Sequence, residues 1–234
     1  MKNIAKTFMT ASALILAGNA SANFIVDLGP YIGADYYYVN MKGSGDYPLV
    51  FPKSYPGASA YLGTKFNDNF GIELGFDCSA QQKRDWNIPL GQSLFNSTTT
   101  KAFSGTTKIR RQGGHLDMLA FLPITDYFEV FGTIGYGWIK AKIEQNNLSI
   151  TNDTTAPFNA SAIASIKGKG KSVFRTGFGV LSMITDSVGL RATLGLETTS
   201  SLHVNGDNAF TNNGYSLKGF KESYSLAVGA FFKF

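Results

Sequence analysis

Cysteine occurs once, at Cys78, and histidine twice. A single thiol makes no intrachain disulfide, so no disulfide framework is expected. There is no Cys-x-x-Cys pair and no Cys/His ligand set, which excludes a structural zinc site. Long apolar runs are scarce as well. The run from Phe8 to Ala17 is about half of the roughly 20 residues that a membrane-crossing helix needs. Charge is sparse, at 16% of residues, and the net charge of +5 is well short of a nucleic-acid-binding composition. Helix caps followed by apolar stripes of period 3.6 are hard to find.

The first residues carry a targeting pattern instead. Lys2 and Lys6 form a basic start, Phe8 to Ala17 is uncharged and apolar, and Ala20-Ser21-Ala22 is a small-x-small cleavage site. Residues 1–22 are therefore expected to be a signal peptide and 23–234 the mature domain. A retained anchor fits poorly, because the run is short. Leu16-Ala17-Gly18-Asn19 lacks the cysteine of a lipoprotein signal, so no lipid anchor is expected. Removing 22 of 234 residues leaves 212, enough for one sizeable domain or barrel. The charge becomes 19 Lys+Arg, which is 21 less Lys2 and Lys6, against 16 Asp+Glu, so net +3.

What the chain has in quantity is glycine, at 26 residues, and aromatic side chains, at 14%. Short alternating segments separated by turn residues run throughout. Three stretches resemble one another: KFNDNFGIELGF, PITDYFEVFGTIGYG and MITDSVGLRATLGLE. Their aspartates, Asp68, Asp126 and Asp186, are spaced by 126 − 68 = 58 and 186 − 126 = 60 residues. Asn-Asp and Thr-Asp pairs favour tight turns, because their side chains bond nearby backbone. The pattern predicts strands over 24–39, 56–66, 70–79, 107–124, 127–143, 171–184, 187–199 and 216–234. Three hairpins with short turns then alternate with long polar loops at 41–55, 80–106, 144–170 and 200–215.

The last strand sets the faces. From Tyr224, even positions read Tyr, Leu, Val, Ala, Phe, Phe, whereas odd positions are mostly small or polar. The same sorting holds elsewhere. Even rows are apolar, with aromatics at their ends: Tyr36, Tyr38, Phe66, Phe70, Phe128, Trp138, Phe232 and Phe234. Odd rows hold the charges and most strand glycines. A soluble sandwich or lipocalin-like barrel would bury the apolar row. Aromatic girdles, an even strand count and short turns opposite long loops point instead to an outer-membrane barrel. Such a barrel closes its edges and satisfies its backbone in lipid. The expected fold is all-β, an eight-stranded antiparallel up-and-down transmembrane β-barrel with short periplasmic turns and four long extracellular loops.

Over residues 23–234 the chain resembles the small eight-stranded outer-membrane barrels of Gram-negative bacteria, such as the OmpA transmembrane domain and the opacity-type surface antigens. Gly229, Phe232 and Phe234 resemble the C-terminal assembly signal of that family, which implies the barrel-assembly machinery as a partner. Ala227 departs from the polar residue usual there. No peptidoglycan-binding domain follows, so that role is not implied. The resemblance places the protein in the Gram-negative outer membrane, with its lipids and lipopolysaccharide as surroundings.

Candidate sites follow from the two rows. The inward charges Lys65, Arg175, Arg191 and Lys221 face Asp27, Asp35, Glu73, Asp77, Asp117, Glu129 and Glu197 across a lumen that eight strands leave just wide enough for side chains. Lys65, Glu73, Asp77, Asp117, Glu129, Arg175, Arg191 and Glu197 form the expected lumen charge network. It reads either as a salt-bridge plug or as the lining of a narrow, cation-favouring pore. Basic residues near the loop ends, notably Arg110, Arg111, Lys167, Lys169 and Lys171, are expected on a rim that contacts lipopolysaccharide phosphates, by the attraction that draws basic segments to anionic lipid. Ordinary solubilising loop charge is the alternative. His115 with Asp117 reads as structural rather than as a proton relay, and no His-x-Ser segment suggests lipid-modifying catalysis. His203 has no recognisable partner. KGKGKS at 167–172 lacks the glycine that a phosphate-binding loop needs at position 165, which is Ser. Cys78 reads as an inert lipid-facing thiol.

No catalytic constellation, cofactor site, metal site or nucleic-acid surface is expected. Recognition is placed in the four loops, whose Asn, Ser and Thr content suits polar contacts. The expected role is a non-enzymatic surface barrel, structural or adhesin-like, possessing loop-borne affinity for a host surface ligand, with a narrow porin-like pore as the alternative.

Overall fold

The computed structural model describes residues 29–43, 51–89, 93–94, 97–98, 102–152, 155–160, 164–167, 171–198 and 220–234. The expected signal segment, Asp27 and His203 lie outside them. Eight strands form the main ring: β1 Gly29–Gly43, β2 Ser54–Lys65, β3 Phe70–Ser79, β4 Ala102–Thr125, β5 Phe128–Asn152, β6 Lys171–Met183, β7 Val188–Thr198 and β8 Phe220–Lys233. Each pairs antiparallel with its sequence neighbours, and β8 pairs with β1. The ring is closed, so within it no strand edge is left unpaired.

The stagger of the ring is read directly from its register. From Tyr31 the opposed residues run through Gly63, Glu73, Asp117, Gly135, Arg175, Glu197 and Ser223 to Met41. One circuit therefore shifts the chain by 41 − 31 = 10 residues. Ten residues at about 3.3 Å, over eight strands about 4.8 Å apart, tilt the strands by about 40°. The path also passes through Glu73, Asp117, Arg175 and Glu197, so four charges far apart in sequence lie on one register line.

The three short turns form as their composition dictates. Asn67 Oδ1 accepts from the backbone N–H of Asn69 at 2.9 Å and of Phe70 at 2.8 Å. Thr185 Oγ1 accepts from Val188 N–H at 3.0 Å, and Thr125 Oγ1 from Tyr127 N–H at 3.3 Å. In each turn the bonding side chain is the residue immediately before the repeated aspartate.

Large residues of the even row point outward. Ile32, Leu62, Leu74, Leu116, Met118, Leu190, Leu194, Leu226 and Val228 are exposed on the outer wall, with Tyr36, Tyr136, Trp138, Phe128 and Phe232 toward its two ends. The odd row points in and carries more than charge. Tyr31, Tyr37, Tyr61, Phe121, Phe131 and Phe231 are buried inside. Each of five rings lies over a directly opposed glycine, where a Cβ would overlap it: Tyr31 over Gly63, Tyr61 over Gly33, Tyr37 over Gly57, Phe131 over Gly179 and Phe231 over Gly189. Glycine in the inward row is the space into which a neighbouring ring folds.

The second and third loops differ from the sequence expectation. Strands β4 and β5 continue past the ring as a ribbon paired out to Ala102 and Thr151. Gln82–Ile88 adds to β4, while Thr155–Ala160 and Ala164–Lys167 add to β5. Ser93–Leu94 and Ser97–Thr98 form a small separate pair. Segments rich in Ser, Thr and Asn read as loops by composition. Their Thr and Ile content suits a pleated strand equally well, and an existing hydrogen-bonded ladder extends into them.

Candidate functional site

The lumen is filled in layers. At the turn end, Tyr31, Tyr61 and Phe231 pack with Leu181 and Met183, and Leu119, Phe121 and Phe131 form a second group against Leu181. At the loop end, Tyr37, Val39, Met41, Phe51, Tyr55, Ile88, Ile109, Ala141 and Ile143 make an apolar cap, flanked by Trp86. Phe51 and Tyr55 close it over the mouth, and Tyr55 Oη donates to Pro52 O at 2.8 Å. Trp86 Nε1 donates to Thr107 Oγ1 at 3.0 Å.

Between these layers lies a belt of buried charge. Arg191 forks onto Asp35, with Nη2 2.6 Å from Oδ2, and reaches Glu73 Oε2 at 2.7 Å with Nη1. Its guanidinium stacks 3.4 Å from the ring centroid of Tyr61. Arg175 contacts Glu197 at 2.7 Å, Asp77 at 3.2 Å and Asp117 at 3.4 Å. Arg111 bonds the second oxygen of Glu197, which Ser223 Oγ also meets at 3.0 Å. His115 stands between Asp77, 3.2 Å from Nδ1, and Asp117, 3.7 Å from Nε2. Five carboxylates thus face three guanidiniums and one imidazole. In so buried a site each ion needs its partner, because an uncompensated buried charge is strongly unfavourable. Glu73, His115 and Asp117 bring metal-ligating atoms within 4.8 Å of one another. Guanidiniums already hold both carboxylates, so the set reads as an ion-pair network.

Among the described residues, the filling is interrupted in at least two places. One, a cavity of about 70 Å³, lies within the charged belt. The other, about 330 Å³, opens at the turn end among Tyr127, Asp126 and Asp186. Leu119, Phe131 and Arg191 line both and stand between them.

The residues expected in the lumen fall into two groups. Glu73, Asp77, Asp117, Arg175, Arg191 and Glu197 meet in the belt. Lys65 and Glu129 pair apart from it, at 2.6 Å near the turn end, where Lys65 Nζ also lies 4.2 Å from the Phe121 ring. The side chain of Lys221 is outside the described residues. Asp35 and His115, which sequence reading placed outside the chosen network, belong to it.

Arg111 corrects the expected rim. It is 2% exposed and faces the lumen. The strand alternation runs unbroken through residues 109–117, so Arg110 and Arg111 point to opposite sides. Both rows are polar here, so the contrast that sorts the faces lower down is lost. Arg110 is exposed on the outer wall, its Nη2 2.8 Å from Cys78 Sγ. Lys167 is opposed to Lys142 in register and Lys171 to Ile139, but the side chains of both, and all of Lys169, lie outside the described residues. Gly229 opposes Asp35, and a Cβ there would strike that carboxylate. Phe232 and Phe234 point outward at the turn end, ring centroids 5.2 Å apart.

Residues 8–180 match the family model described as an outer membrane protein beta-barrel domain. The chain belongs to this family. Outer-membrane barrels of this kind set short turns toward the periplasm and longer loops outside. The fold of this family member is similar to that of a major outer membrane protein from Thermus thermophilus, at 13% identity over 88% of this chain and 99% of that one, with a TM-score of 0.54. It is similar also to OprG from Pseudomonas aeruginosa, at 11% identity over 88% and 96%, TM-score 0.51. Ail of Yersinia pestis aligns at 15% identity over 89% and 99%, TM-score 0.44. No curated protein sequence matches the chain. At such identities the likeness speaks to the fold of this outer-membrane barrel.

Proposed function

We propose that this outer-membrane barrel is a non-enzymatic surface protein with a closed lumen, structural or adhesin-like, whose recognition lies at its loop end. The observation that carries the reading is the layered filling: an apolar cap, a belt of paired charges and an aromatic turn-end layer in series. The raised β4–β5 ribbon supports it by carrying the loop tips away from the ring. Residues 1–22 act as the export signal, and Gly229, Phe232 and Phe234 engage the assembly machinery. The outer rim meets outer-leaflet lipopolysaccharide, and the loops meet a host surface ligand.

A narrow cation-favouring pore is the second reading. The excess of five carboxylates over three guanidiniums and the turn-end cavity favour it. Single-channel recording on refolded residues 23–234 in planar bilayers separates the two. A silent bilayer, with folding verified by heat-modifiable gel mobility, is expected. Discrete openings that change with Glu73→Gln would transfer the function to the lumen.

A further inference from the structure

The outer wall changes character where β4 and β5 rise past their aromatic level. Trp138 and Tyr136 face outward at 47% and 61% exposure, as interfacial anchors do. Above Trp138 on the same face, β5 presents Lys140, Lys142 and Glu144, β4 presents Gln112, Arg110 and Lys108, and the adjoining strand Gln82–Ile88 adds Lys83 and Asp85. The register sets Arg110 opposite Lys142 and Lys83 opposite Lys108. Like charges directly opposed on neighbouring strands repel and destabilise the pairing. Two such pairs sit side by side here.

The acids nearby do not cancel them. Asp85 pairs with Lys83 at 3.2 Å and Glu144 with Lys142 at 2.8 Å. The Thr106 hydroxyl and Lys83 hold the Asp85 carboxyl below its usual range, and Lys142 does the same to Glu144. Lys108, Arg110 and Lys140 form no ion pair among the described residues. Five cations against two carboxylates leave the patch at 5 − 2 = +3. Among the described residues the surplus is one-sided. Across the barrel at this end, the outward positions Thr198, Glu222 and Lys42 are balanced. The Arg110 guanidinium bends toward the membrane, since Cys78 lies opposite Gln112, one outward position lower.

A cationic patch that faces neither lumen nor loop tips, but the zone just above an aromatic girdle, meets lipid headgroups. Three strands about 4.8 Å apart, and four residues along β4 at about 3.3 Å each, make it about 10 Å by 13 Å, room for two phosphates. We propose that this face, centred on Arg110, Lys140 and Lys142 with Lys108 and Lys83 beside them, binds the phosphates of lipid A. Bound phosphates would neutralise the opposed cations and steady the ribbon. Charge-assisted bonds from Arg110 supply the directional part. The proposal rests on the outer-membrane placement of the chain, not on whether its lumen is closed.

The test is native mass spectrometry of the full mature protein in a neutral detergent, titrated with diphosphoryl and monophosphoryl lipid A. Wild type is expected to prefer the diphosphoryl form and to lose affinity as salt rises. Arg110→Gln/Lys140→Gln/Lys142→Gln is expected to bind at least tenfold more weakly, and Lys42→Gln, on the balanced side, to bind as wild type. If the triple variant fails to fold, Lys108→Gln/Lys140→Gln is read in its place. Undiminished binding by the folded variant, an equal loss in Lys42→Gln, or equal affinity for phosphatidylglycerol would each overturn the proposal. Bilayer conductance leaves this result untouched, so an open lumen and a failed lipid site are separate outcomes.

Discussion

Arg191 is the most committed side chain of the belt. It holds Asp35 and Glu73 together and stacks on Tyr61. Arg191→Leu leaves two buried carboxylates facing each other without their cation. Urea unfolding from lipid vesicles is expected to show a loss of about 3–5 kcal/mol. Arg191→Lys should recover only part of it, since an ammonium cannot fork across both acids. Gly63 is the complementary case. Gly63→Val thrusts a branched side chain into the Tyr31 ring and is expected to cost about 1–3 kcal/mol. Combining it with Tyr31→Ala should make the two costs less than additive. At this scale the sequence was half legible. Parity alone sent Glu73, Asp77, Arg175 and Glu197 inward. Parity could not say that Lys65 would pair only with Glu129, or that odd-row rings such as Phe131 and Phe231 would share the lumen with the charges. Those depend on which glycine each residue opposes, and that is a property of register between strands.

Strands were legible to within a few residues wherever one row was apolar and the other polar. β3 matches its expected span, and the three turns fall at the expected pairs. The pattern failed above the membrane, where both rows become polar and the contrast between faces vanishes. Arg111 was misplaced for that reason, and residues 102–106 were read as loop. On the lipid-facing row the prediction is simple. Leu62 lies outward between Ile32 and Leu74. Leu62→Arg is expected to destabilise the barrel by about 2–4 kcal/mol near the bilayer midplane, measured by reversible folding into lipid vesicles.

At the level of the whole molecule, the barrel holds three unlike materials in series, and the charged one lies between the other two. Arg175→Ala/Arg191→Ala strips two of three guanidiniums from a belt of five carboxylates. Wherever this variant folds, water is expected to enter and planar bilayers to show cation-selective steps absent from wild type. A silent double variant would assign the seal to the apolar cap. The ring has another consequence, one of timing. Tyr31 is opposed to Lys233, partners separated by 233 − 31 = 202 residues. The seam between β1 and β8 is drawn from nearly opposite ends of the sequence, and contacts so distant form slowly. Until the last strand is made, the first has no partner on one side. The ring therefore cannot close before both ends of the sequence are present, and until then the even row of leucines and aromatics has no barrel wall to belong to.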